Sequence, residues 1–207
     1  MALSLVEPAV RVAVDVTFLR MAAPPADAPP PLPEGVRLER LARCSVPFYR
    51  FLYNTVGQDY VWWLRRAAAD EELARVLGDP AVSIHVLYQG GEPAGFFELE
   101  QRQGGTTNLA YFGLLPRAVG TGIGRAFLRA AIDTAWAGGC DLLTVNTCTA
   151  DHARALPNYL WPPASPGCAR CARSGPCRCA LACGCRSGCW PEHTAGHGGR
   201  RAALAHP

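Results

Sequence analysis

Residues 108–128 read NLAYFGLLPRAVGTGIGRAFL, and the order of residue types in this stretch decides the fold. The apolar run Leu109–Leu115 has the length of a buried strand. Pro116 stops it, and Gly120, Thr121, Gly122, Ile123 and Gly124 follow at once. Ile123, Phe127, Leu128, Ala131, Ile132, Ala135 and Trp136 then recur at the spacing of one helix face. A strand feeding a glycine-rich turn that opens a helix presents unpaired backbone N–H groups at the positive end of the helix dipole. Such an end suits a phosphate or pyrophosphate. Glycine there admits positive φ and lets a ligand approach the backbone.

Spacing separates the loops of this kind. A P-loop ends in Gly-Lys-Ser/Thr. Here the last glycine precedes Arg125 and Ala126, and the chain has no lysine. A dinucleotide fingerprint needs G-x-G-x-x-G and an acidic residue closing the next strand. Here the glycines run G-x-G-x-G, and Asp141 opens the next apolar stretch. The stretch LLPRAVGTGIGRAFL resembles the acetyl-CoA loop of the GNAT N-acetyltransferases, Arg/Gln-x-x-Gly-x-Gly/Ala after a strand ending in proline. Gly122 and Gly124 fall on its two small positions, and Val119 replaces its usual Arg or Gln. A plain glycine-rich turn is the competing reading.

The resemblance extends both ways, over roughly Val12 to Tyr159. AVSIHVLYQGGEPAGFFELEQRQ reads as a hairpin, with strands Val82–Tyr88 and Ala94–Gln101 about a Gln89-Gly90-Gly91 turn. CDLLTVNTC reads as a further buried strand. The segment after it keeps the family's Asn-x-x-Ala-x-x-x-Tyr spacing in His152, Ala155 and Tyr159, with His in the Asn slot. Near the start, Val12, Val14, Val16 and Phe18 alternate with polar or small residues, as in a first strand with that face buried. Pro24 to Pro33 is a proline-rich connector. Pro47–Val56 and Asp70–Leu77 read as helices, with Asp70 the expected N-cap. One strand, two helices, three meandering strands, a loop, a helix and a strand is the GNAT order. It implies an α+β fold, a mixed, mostly antiparallel sheet flanked by helices. A cleft for acetyl-CoA lies where the strand at 109–115 splays from the one at 140–148.

The resemblance also assigns residues. Leu114 and Leu115 at the strand end, Val119, Gly120, Thr121, Gly122 and Gly124 in the loop, and Arg125 after it are expected to hold acetyl-CoA. A backbone N–H near Leu114 meets the thioester carbonyl. Tyr159 stands where many members place the tyrosine that protonates the leaving thiolate. Phe96, Glu98 and Glu100 share one strand face, and Glu98 is the expected general base. Cys148 is expected to be a small buried residue, since transfer is direct. Tyr53, Tyr60 and Trp62 belong to the aromatic segment FYRFLYNTVGQDYVWW and are expected to wall a pocket for an apolar or aromatic acceptor. The partner is thus a small-molecule or peptide amine, and a homodimer is compatible with the family.

Composition bounds the rest. The 207 residues suffice for one domain with a sizeable core. No run is long and apolar enough to span a membrane, and the first residues lack a basic stretch leading an apolar one, so a cytoplasmic protein is expected. Up to Leu160 there are 14 Arg against 16 Asp/Glu, net −2, and from Trp161 on 6 Arg against 1 Glu, net +5. The body carries no basic stripe, so no nucleic-acid partner is expected.

The chain therefore divides into a GNAT domain at 1–160 and a Cys-, Pro-, Arg- and Gly-rich tail at 161–207, disordered or out of frame. The tail contains no Val, Ile, Phe, Tyr or Met, and seven of the ten cysteines fall in 168–189. One reading is metal binding through Cys168-x-x-Cys171, Cys177-x-Cys179 and Cys183-x-Cys185. This is the rival view of the chain, a Cys-rich metal-binding or interaction protein on a catalytically dead GNAT scaffold. No metal ligand is assigned from it. The preferred reading is a frameshift. Read from the last base of the Trp161 codon, the next codon is GCC, Ala, and the following ones can spell Ala-Gly-Phe, the continuation the family shows. On that reading the last two strands are missing, the final strand has an unpaired edge and activity is impaired.

Overall fold

The computed structural model describes residues 12–160; the readings of the 161–207 tail fall outside them. The described chain is three layers, with helices on both faces of one six-stranded sheet. Strands β2 (Val36–Arg40), β3 (Val82–Gln89), β4 (Glu92–Arg102) and β5 (Thr106–Leu114) form an antiparallel run. Strand β6 (Leu142–Cys148) then pairs parallel with β5, and β1 (Val16–Met21) pairs antiparallel with β6. The spatial order is β1-β6-β5-β4-β3-β2.

Two cores result. On one face α4 (Gly124–Ala137) lays Phe127, Leu128, Ala131, Ile132 and Ala135 onto Leu87, Phe97, Leu99, Leu143 and Val145. Gly95 permits this, because a Cβ there would stand 3.0 Å from the Phe127 ring and 2.8 Å from the Gly113 carbonyl oxygen. On the other face α1 (Val46–Gly57) and α3 (Asp70–Leu77) bring Tyr49, Leu52, Tyr53, Val56 and Leu73 against Ile84, Val86 and Phe96. Ser45 caps α1 through its side chain, accepting from the Phe48 amide. Asp70 is not a cap. Ala69 takes that position without a side-chain bond, and Asp70 receives Arg50 Nε and Nη2 at 3.0 and 2.5 Å.

The N-terminal strand departs from expectation in the face it buries. It does not border the meander; β2 does, and β1 lies at the opposite edge of the sheet. Residues 22–35 therefore cross the width of the sheet, five strand spacings or roughly 24 Å. An extended proline-rich segment of that length reaches this easily. The crossing is pinned to α4, where buried Arg129 meets the Asp27 carboxylate at 3.2 Å and its carbonyl at 2.5 Å. Because α4 covers only one face of β1, Leu19 and Met21 are buried while Val16 and Phe18 are 42% and 61% exposed. The alternation was legible, but the covered face was the other one. The expected unpaired edge of β6 is absent too, since Val16–Met21 pair with 143–148 along it.

Candidate functional site

Parallel pairing of β5 with β6 runs only from Thr106↔Leu142 to Leu109↔Val145. A register shift between Glu98 and Leu99 on β4 leaves Ala110 as the extra residue of β5, and beyond it the two strands part. From there to Leu114, β5 keeps a partner on its β4 side alone. The Leu115 amide donates to Ala94 O at 2.8 Å, toward β4. Successive amides of a strand point to opposite sides, so the Leu114 N–H is directed into the splay. Of the two leucines expected at the ligand, Leu114 thus has an available donor and Leu115 has spent its own.

The chain then makes a single 3-10 turn at Pro116–Ala118 and enters the glycine loop. Gly120 and Gly122 hold φ of +83° and +86°, and nothing lies within 4 Å of where their Cβ atoms would be. The space over the loop is open, as a phosphate cradle requires. The amides of Gly120, Thr121 and Gly122 make no backbone hydrogen bond among the described residues; Thr121 Oγ1 donates to Ala118 O and braces the turn. Helix α4 has no side-chain N-cap, and its first closing bond is Phe127 N to Ile123 O. The amides of its first turn therefore lack intrahelical acceptors at the positive end of a 14-residue helix. Val119 is 45% exposed at the loop's start, and Arg125 lies on the exposed side of the first turn. These features fit a pyrophosphate arm.

Tyr159, on the short helix α5 (Ala155–Tyr159), is buried with its ring 6.3 Å from that of Phe112 on β5. Burial, followed by the nearby Asp151 charge, raises its pKa, so the hydroxyl stays protonated. Asp151 is fixed in the turn after β6, where Oδ2 accepts from Thr147 Oγ1 at 2.7 Å and Cys148 N at 2.9 Å. Tyr60 reaches the same turn, its ring 6.1 Å from that of His152, and its pKa too is raised, by burial and then Asp59 and Asp151. His152 caps the turn, with Nδ1 accepting from the Arg154 amide at 3.0 Å. Tyr60 and Tyr159, 99 positions apart, thus both lie near the turn that carries Asp151 and His152.

Tyr53 and Trp62 belong to a different group. Tyr53 is 1% exposed, and Trp62 packs 5.2 Å from both Tyr53 and Tyr111. A Cβ on Gly57 or Gly113 would meet Trp62 Cβ at 2.4 Å or Val56 Cγ1 at 2.3 Å, so both glycines make room for this packing. Trp62 is partly buried and packs against the α1-side core.

Glu98 is the largest departure. It lies on the expected face with Phe96, but its side chain is 1% exposed and both oxygens are engaged. The Tyr49 hydroxyl donates to Oε2, and Arg65 Nη2 donates to Oε1 at 2.8 Å. Each oxygen of Glu98 thus already accepts one hydrogen bond within the protein. Arg65 comes from α2 (Leu64–Ala67), an element absent from the sequence reading, and its guanidinium lies 5.6 Å from the Tyr111 ring. Burial is the largest single influence and lowers the Arg65 pKa, but the Glu98 charge, Tyr49, the Glu98 hydrogen bond and Tyr111 together outweigh it, so that the net shift is upward. No cluster of metal-ligating side chains exists among the described residues, nor any helix long and apolar enough to cross a membrane.

The model of the Acetyltransferase (GNAT) family matches residues 41–160. Among solved structures, a tandem GNAT protein from the clavulanic acid biosynthesis pathway is 17% identical with TM-score 0.51, over 72% of this chain and 50% of that one. A GCN5-related N-acetyltransferase from Sphaerobacter thermophilus is 16% identical with TM-score 0.48, over 73% and 47%. One from Kribbella flavida is 18% identical with TM-score 0.46, over 65% and 50%. The chain spans about half the length of these three structures. No curated protein matches it.

Proposed function

The chain belongs to the GNAT acetyltransferase family, and on that premise we propose that it transfers an acetyl group from acetyl-CoA to a primary amine by direct attack. The observation that carries the reading is the run of unspent backbone amides, Leu114 into the splay and Gly120 to Gly124 at the head of α4. The loop amides, with Arg125 beside them, would hold the pyrophosphate. When bound, the thioester supplies the acetyl group. The Leu114 N–H polarises its carbonyl oxygen as a fixed donor at no reorganisation cost. Tyr159, kept protonated by burial, gives its proton to the departing thiolate. With both Glu98 oxygens already paired to Tyr49 and Arg65, the amine would give its proton to water beside Tyr60 and His152. The acceptor is a small-molecule or peptide amine, and the setting is cytoplasmic.

Calorimetric titration of acetyl-CoA into the full chain under reducing conditions tests this. A 1:1 isotherm in the micromolar range is expected. A flat titration beside stoichiometric metal in the purified protein would favour the Cys-rich metal-binding alternative for 161–207.

A further inference from the structure

The one ion pair of the described residues that joins the α1-side helices to the middle of the sheet is Arg65–Glu98. Glu98 is fully buried on the same strand face as Phe96 with its side chain against Tyr49, where an unpaired carboxylate would be strongly unfavourable. Its cation comes from α2, four residues long and with no buried residue of its own. A helix of that length has no stability by itself, so its position is set by polar contacts. Arg50 donates to the carbonyls of Arg65, Arg66 and Ala68 at 3.1, 3.3 and 2.7 Å, and the Arg65 amide donates to the Tyr53 hydroxyl at 3.3 Å. Within α2 the Arg65 guanidinium is what reaches the sheet, while just before it in the link Trp62 packs on Phe96 and Tyr111. The Arg65 Nε is buried with no hydrogen-bond partner, so the pair is not optimised as a source of stability. What the pair does fix is direction, because Glu98, held at Oε2 by Tyr49, offers Oε1 to Arg65 in one placement where an apolar patch admits many.

We propose that Arg65 and Glu98 are positioning residues. Their buried pair latches the α1–α2 link onto β4 and so sets where Tyr60 and Trp62 stand relative to the cofactor half. This rests on the acetyltransferase reading for its functional meaning, though the latch itself does not. Tyr60 lies a few residues upstream of Arg65 and reaches the His152 turn, so a shift of the link moves the mouth of the site. Glu98 accordingly holds no proton in transit.

The experiment compares the full chain with Glu98→Gln, Arg65→Lys and the charge-free double variant Arg65→Met/Glu98→Met. Hydrogen–deuterium exchange is followed over 58–69 and over β3–β5, with acetyl-CoA affinity and transfer to tyramine, the probe amine. In the double variant, which leaves no buried charge, exchange over 58–69 is expected to rise about tenfold or more with β3–β5 unchanged. Arg65→Lys restores part of that protection, and acetyl-CoA affinity stays within about twofold throughout. Where transfer is measurable, the loss appears in the tyramine KM, and the pH profile keeps its acidic limb in Glu98→Gln. Unchanged exchange over 58–69 in the double variant overturns the latch. So does a Glu98→Gln protein with an intact link whose transfer has lost its acidic limb, since Glu98 would then be a base. Failure of the parent chain to bind acetyl-CoA overturns the acetyltransferase reading instead, and the exchange result still decides the latch.

Discussion

The glycine loop and the Arg65–Glu98 region lie on the two sides of β5 and are built on opposite principles. The loop is made of backbone. Its donors are amides, its shape comes from two glycines at positive φ, and all of it lies within one short stretch of chain. The other region is made of side chains. Tyr49, Arg65, Glu98 and Tyr111 come from four elements and lock together in the interior. A backbone site tolerates change at its exposed side chains and fails when its φ values are disturbed. A buried side-chain network fails on a single truncation. The two regions should therefore break differently.

The largest effect is expected where a buried charge loses its partner. Arg65→Ala strands the buried Glu98 carboxylate and should cost about 3–5 kcal/mol of stability in denaturant unfolding. The folded fraction should bind acetyl-CoA as before. Equal losses in stability and affinity would merge the two regions into one.

Next comes pH. Burial, then the charge of Arg40 across the β2–β3 ladder, lowers the His85 pKa to about 4, with its ring stacked on Phe97 and Nε2 3.2 Å from Ser83 Oγ. The unfolded chain takes up that proton near 6.5 and the folded chain resists it. Stability is therefore unaffected by this group above about pH 6.5 and falls between about 6.5 and 4, by on the order of 3 kcal/mol. In His85→Phe that slope should shrink, as read from midpoints at several pH values. An unchanged slope would remove His85 from the account.

Gly122→Val acts on the backbone side. The space around its Cβ is open but φ is +86°, so the loop must rearrange. A cost of about 1–2 kcal/mol in stability is expected, with acetyl-CoA binding weakened about a hundredfold or more by calorimetry. The smallest effect belongs to Val119→Arg, which puts the family's usual cation at an exposed position. It should tighten acetyl-CoA by about threefold, lost at high salt. A loss of stability in this variant would show that Val119 packs rather than lines the loop.

The same contrast explains what the sequence discloses. Loop and helix are local, so residue order alone reveals β5, the turn and α4. The meander strands carry strong apolar patterns and their placement followed. Strand β2, VRLER, is short and interleaved with charge, as edge strands are, and leaves little signal. In β1 the alternation was visible, but which face is buried depends on where α4 lies, a tertiary fact. That Glu98 sits on the α1 face was readable from its spacing to Phe96. That Arg65, 33 residues away on an aperiodic link, would occupy its oxygen was not.

The most direct test is amide exchange of the full chain with and without acetyl-CoA. Protection is expected at Leu114 and through Gly120 to Ala126, with 58–69 unchanged because that region is already locked. Protection confined to the α1–α2 link, with the amides of the glycine loop exchanging as freely as before, would contradict a backbone-built acetyl-CoA site.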